Sequence, residues 1–161
     1  LEPIQSNNVD LSLEWYPYDE ALFSVALFRK NIESFTQRLV RTIPYSETGF
    51  PNSLLGPGVT PADSFVVTNF VNTPGGVLNG FEVTLQTPFN FEFIPEELHG
   101  FGGLVNYTKI DSEFDYIINP TTGATVTESL VGQSPSSVSA TLYYERGPFE
   151  ARVSSSWRDE Y

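Results

Sequence analysis

The sequence predicts an all-β protein, an antiparallel up-and-down meander of about six strands. Three observations carry that expectation. Side chains alternate between apolar and polar with a period of two. The segments that alternate are joined in turn by short turns and by long polar stretches. No run approaches the roughly 18 consecutive apolar residues that a membrane helix needs, a test that β-barrels escape.

The elements follow in order along the chain. Val9, Leu11, Leu13 and Trp15 are apolar with Asp10, Ser12 and Glu14 between them, which predicts a strand over about 9–16 with one apolar face. The nearly continuous apolar run from Ala21 to Asn31 predicts a second strand, 21–31. Phe81, Val83 and Leu85 against Glu82, Thr84 and Gln86 predict a third at 79–90, and Phe101, Val105 and Tyr107 opposite Asn106 and Thr108 a fourth at 101–111. Val138, Ala140, Leu142 and Tyr144 alternate with Ser137, Ser139 and Thr141 in a fifth, 137–146. The sixth, 149–158, sets Phe149, Ala151, Val153 and Trp157 against Glu150, Arg152, Ser154 and Arg158.

Short turns carrying Pro17 and Asp19, Pro95, and Gly147 with Pro148 join these strands in pairs. Stretches 32–78 and 112–135 are long, rich in Asn, Thr, Ser, Gly and Pro, and are expected as outer loops. Short turns at one end and long loops at the other is the plan of an outer-membrane barrel. Ten residues at about 3.3 Å, tilted about 45°, rise about 23 Å, close to the apolar band of about 25 Å that such barrels show to lipid. Trp15, Tyr16, Tyr18, Phe89, Phe91, Phe93, Tyr143, Tyr144 and Phe149 gather at the short turns as an interfacial girdle would. A soluble β-sandwich binding module of carbohydrate-binding type also alternates, and period alone leaves both architectures open. A small closed eight-stranded barrel is a third arrangement, if the β-prone segments Thr36–Ile43 and Phe65–Val71 are strands as well.

Composition narrows the function classes. The 161 residues carry 20 acidic and 8 basic side chains, a formal charge of −12, and the scattered cations exclude a nucleic-acid partner. Without Cys, disulfide scaffolds, redox pairs and Cys zinc sites are excluded. An aromatic content of 14% is too high for a disordered acidic tail. The start LEPIQSNNVD shows no signal peptide, and the absence of Met fits a fragment of a longer chain.

No catalytic constellation is visible, so no enzymatic activity, no cofactor and no metal site are expected. The single His99 reads as a turn residue. The pairs Asp19/Glu20, Glu96/Glu97 and Asp159/Glu160 are sequence neighbours that a strand would send to opposite faces. Asp111, Glu113 and Asp115 lack the spacing of a calcium loop. GFGG at 100–103 has no following helix to cradle phosphate, and the Ser-rich runs have no nucleophile partners. What remains is binding and permeation. The candidate contact residues for a solute are Glu82, Thr84, Gln86, Asn106, Thr108, Arg152 and Arg158 on the polar strand face, with Tyr45 and Phe50 in the stretch 32–78, where aromatics suit sugar rings.

The runs LSLEWYPYDEALFSVALFRKNIESFTQ, NGFEVTLQTPFNFEFIPEELHGFGGLVNYTKIDSE and SATLYYERGPFEARVSSSWRDEY resemble, in order and over about two-thirds of the chain, the later barrel half of TonB-dependent receptors, in particular the Caulobacter-, Xanthomonas- and sphingomonad-type group. The resemblance implies a 22-stranded barrel in the Gram-negative outer membrane that imports siderophores, vitamins or oligosaccharides. Its partners would be outer-membrane lipid, the remaining barrel strands, a plug domain, and the TonB system reached through an N-terminal segment. No plug-like or coupling segment is found within residues 1–161, and six strands do not close a barrel. The expectation is therefore a partial barrel, one structural unit over 1–161, not competent for transport alone.

Overall fold

The computed structural model describes every residue except Thr121. The strands are β1 (Ser6–Trp15), β2 (Leu22–Ile32), β3 (Phe35–Pro44), β4 (Ser64–Thr73), β5 (Gly75–Pro88), β6 (Phe101–Asn119), β7 (Ala124–Glu128), β8 (Ser136–Arg146) and β9 (Phe149–Arg158). The main sheet runs in the order β1-β2-β5-β6-β8-β9, all antiparallel, with β7 paired to the far end of β6. It is an open meander, with β1 and β9 as its edges.

Register across the ladder sorts the side chains onto two faces. One row joins Leu13, Val25, Val83, Tyr107, Val138 and Trp157, and the next joins Trp15, Phe23, Leu85, Val105 and Ala140. Among the described residues no second sheet covers this face: Leu11, Leu13 and Val153 keep 67%, 70% and 73% of their surface exposed. A β-sandwich would have buried these side chains against a partner sheet, so that architecture is excluded. The opposite face joins Glu14, Ser24, Thr84, Asn106, Ser139 and Ser156, and beside them Ser12, Ala26, Glu82, Thr108, Ser137 and Arg158.

The apolar face has a border on each strand. On β2 it lies between Leu27 and Arg29, on β5 between Phe81 and Asn79, and on β6 between Tyr107 and Lys109. Because Val9 pairs with Arg29 and Phe81 pairs with Lys109, the border steps along the strands on crossing the sheet. The lower, aromatic border steps the same way, from Trp15 and Phe23 to Phe101 and Tyr144, and then to Phe149. Strands tilted against a flat apolar slab produce this drift.

Two long stretches expected as outer loops contain strands. Residues 32–78 hold β3 and β4, which pair with each other as a separate two-stranded sheet, and residues 112–135 hold the end of β6 and all of β7. The closed eight-stranded barrel does not form, because among the described residues β3 and β4 make no ladder with the main sheet and leave its edges open. β6 has 19 residues, about 60 Å of strand, and its outward side chains change from Tyr107 to Lys109, Asp111, Glu113 and Asp115. Roughly half of β6 thus extends beyond an apolar band of about 25 Å. Around that extension lies the little core the chain has. Phe114, 1% exposed, lies over Gly76 and meets the Phe35 ring edge-on at 5.8 Å, with Leu39 and Tyr45 buried along the hairpin.

Glycine is required where rings cross the inner face. A Cβ at Gly102 would overlap the Tyr143 ring, and one at Gly80 would overlap Phe28. Gly102→Ala is expected to cost about 1–3 kcal/mol in urea unfolding of the detergent-folded protein, with part of the loss recovered in Gly102→Ala/Tyr143→Ala. In the β3–β4 link, Asp63 accepts hydrogen bonds from the Thr60 N–H at 2.6 Å and the Thr60 hydroxyl at 3.0 Å. These bonds, the backbone one first, hold the Asp63 carboxyl below its ordinary range. Its contribution to the turn is complete above the unfolded carboxylate value of about 3.9 and is lost as pH falls through the depressed one. Thr60 amide protection followed by hydrogen exchange should persist at neutral pH and disappear only below about pH 4.

Candidate functional site

The inner wall is built by β5, β6, β8 and β9, and alternation alone decides which side chains reach it. Glu82, Thr84 and Gln86 stand two residues apart on β5, facing Thr108, Asn106 and Leu104 of β6. Asn106 is the centre of this array. Its carboxamide donates to Glu82 Oε1 at 2.5 Å and to Thr84 Oγ1 at 2.9 Å, and its own Oδ1 accepts from the Thr108 hydroxyl at 3.3 Å. A carboxylate on a half-covered wall is thereby given a donor without a cation. Gln86 donates to the Glu20 carbonyl at 3.4 Å, which turns it toward the short-turn end.

Arg158 sits opposite Ser137 in the row of Glu82 and Thr108, while Arg152 lies lower, opposite Tyr143. Arg152 approaches Glu150 at 3.9 Å with both side chains well exposed, a pairing that contributes little. The structure therefore brings Glu82, Thr84, Asn106, Thr108 and Arg158 onto two adjoining rows and sets Gln86 and Arg152 lower on the same face. An open cavity of about 410 Å³ lies there, lined by Gln86, Leu104, Thr141, Tyr143, Arg152 and Ser154 with Glu20 and Glu145.

Tyr45 and Phe50 are elsewhere. Tyr45 is buried at the end of β3, edge-on to Phe65 at 5.5 Å, with its hydroxyl donating to the Pro51 carbonyl at 2.8 Å. Its donor is spent and its ring is covered, so Tyr45 organises the hairpin tip. Phe50, 62% exposed, presents its ring on that tip.

The hydroxyls of β8 and β9 complete the wall: Ser139 faces Ser156, and Thr141 meets Ser154 Oγ at 2.9 Å. Of the runs SPSSVSA and VSSSW, empty of nucleophile chemistry, Ser137, Ser139, Ser154 and Ser156 stand on the inner wall, while Ser155 lies opposite Ala140 on the outward face. The signal for this was their parity, opposite to Val138, Leu142, Val153 and Trp157. At the short-turn end His99 Nε2 lies 3.1 Å from the Ile94 carbonyl. Among the described residues no group of three or more His, Asp and Glu is arranged to hold a metal ion.

An open antiparallel sheet with an uncovered apolar face, aromatic borders and an inner face of hydroxyls, amides and carboxylates is the wall of a membrane β-barrel. The family model described as TonB dependent receptor-like, beta-barrel, matches residues 1–161, and the chain belongs to that family. These are outer-membrane transport receptors of Gram-negative bacteria. Comparison with curated proteins and with solved structures finds no match.

The Asn106 array makes a directed expectation. Asn106→Leu leaves Glu82 without its donor and is expected to cost about 1–3 kcal/mol in urea unfolding, whereas Glu82→Leu/Asn106→Leu, with both partners apolar, should cost less than the single change.

Proposed function

We propose that residues 1–161 form part of the barrel wall of an outer-membrane receptor that imports siderophores, vitamins or oligosaccharides. The observation that carries this reading is the division of one continuous ladder into an uncovered apolar face and a hydroxyl-rich inner face. On this reading the wall does not transport alone. Strands beyond β1 and β9 complete the barrel, a plug fills it, and the TonB system supplies the energy through that plug. The short turns face the periplasm, and β3–β4, β7 and the end of β6 stand outside the cell.

Within the wall, Glu82, Thr84, Gln86, Asn106, Thr108, Arg152 and Arg158 contact the solute or the plug, and Phe50 offers an aromatic ring at the outer mouth. Hydroxyls and carboxamides at this density suit ligands rich in hydroxyl groups, since each donates and accepts without the desolvation cost of a charge.

The face assignment is tested by a pair of neighbouring substitutions. Val83→Arg places a cation in the apolar band and is expected to cost about 2–4 kcal/mol of folding into lipid vesicles. Thr84→Arg, one residue on, points to the water-filled side and should fold as the parent does. Equal tolerance of both, measured by folding yield into vesicles, would remove the membrane assignment.

A further inference from the structure

The β3–β4 hairpin is attached to the main sheet in an unusual way. Among the described residues no strand ladder joins them. Beyond the short chain links 33–34 to β2 and 74 to β5, two side-chain carboxamides hold it, each imitating a paired strand residue, one on β6 and one on the segment that precedes β1. Gln37 on β3 donates its Nε2 to the Ile117 carbonyl and accepts from the Ile117 N–H at its Oε1, both at 2.9 Å. Asn72 on β4 accepts from the Glu2 N–H at 2.9 Å and donates to the Glu2 carbonyl at 3.1 Å.

The position of Ile117 explains the first contact. β5 begins at Gly75 opposite Asp115, so it ends short of Ile117, while β7 pairs with β6 here on the other side. The backbone of Ile117 would otherwise face water, and the Gln37 amide carries the donor and acceptor that a strand would bring. The base of the hairpin also leans across the inner face, because Phe35 packs edge-on against Phe114 and Tyr116, at 5.8 and 6.3 Å, and both lie on inner parity.

We propose that the β3–β4 hairpin is a latched cap at the mouth of the barrel, with Gln37 and Asn72 as its two latches. The inference rests on the long-connection end being the outer mouth. Its physical content is separability. A ladder of ten paired residues opens only with the loss of the whole row, whereas a two-bond amide contact breaks alone and leaves both sheets intact. Each latch is uncharged, so closure is insensitive to salt and to pH across the neutral range. The two latches hold opposite strands of the hairpin, which fixes its tilt as well as its position. Opened, the hairpin uncovers the inner face at Phe114. Closed, it holds Phe50 and the rest of the tip over the mouth.

The test uses the full chain folded in detergent micelles, with residue-resolved amide exchange and with nitroxide pairs on Ser53 of the tip and Ser139 of the inner wall. The parent should give one narrow distance and slow exchange at Ile117. Gln37→Leu keeps the bulk but offers Ile117 neither a donor nor an acceptor, and Asn72→Ala removes the second latch. Each is expected to speed exchange at its partner amide about tenfold, and the double variant should broaden the Ser53–Ser139 distance while amides of β2, β5 and β8 stay protected. Gln37→Asn, too short to span, should behave as Gln37→Leu. An unchanged distance in the double variant, or loss of protection throughout the main sheet, overturns the latch. Orientation is read separately, by labelling Phe50→Cys on intact cells with a membrane-impermeant maleimide. Labelling supports the outer mouth, and its absence there with labelling after lysis removes the proposed orientation.

Discussion

The continuous antiparallel ladder from β1 through β9 is what the rest of the structure depends on. In lipid no water satisfies a backbone N–H or C=O, so each strand must spend its polar backbone on its neighbours. The same ladder holds successive side chains to opposite faces without exception across Leu13, Val25, Val83, Tyr107, Val138 and Trp157. A slip of one residue in the pairings of β5 or β6 would turn Glu82 or Asn106 toward the apolar side. Register is therefore strongly specified within the band, and that is where the inner wall acquires its geometry.

Outside the band the constraint relaxes, and the architecture changes with it. The outward face of β6 beyond Lys109 meets water, so Asp111, Glu113 and Asp115 are tolerated on the side that carries Val105 and Tyr107 lower down, while its inner face is covered at Ser112 and Phe114. Folding there relies on ordinary soluble-protein means: a small aromatic core around Phe114, a β3–β4 ladder, the Asp63–Thr60 turn, and carboxamide contacts at Ile117 and Glu2. A rigid wall carrying a hairpin on separable attachments follows from that change of solvent.

The same change explains what was legible in the sequence. The six strands of the main sheet could be read because a lipid-facing side imposes a period of two. The stretch holding β3 and β4 reads as an outer loop in the sequence, since Thr36–Ile43 and Phe65–Val71 are β-prone but carry no steady alternation tied to lipid. The end of β6 and β7 lack the same signal. Parity placed Glu82, Thr84, Gln86, Asn106, Thr108, Arg152 and Arg158 on one face, yet the donation from Asn106 to Glu82 depends on register between strands 24 residues apart. Tyr45 shows the limit from the other side: its composition suited a ligand, and only the fold shows its hydroxyl bound to Pro51 and its ring covered by Phe65.

The apolar face carries its own probes. Trp15 and Trp157 are the two tryptophans of the chain, 61% and 58% exposed, and they lie at opposite ends of the outward face, at the short-turn border and at the long-connection border. Their fluorescence in vesicles of lipids brominated along the acyl chain tests the central claim most directly. Both should be quenched, from opposite leaflets and near the headgroup level, with blue-shifted emission. Water-like emission from both, unchanged by bromine at any depth, would contradict the assignment of this face to lipid.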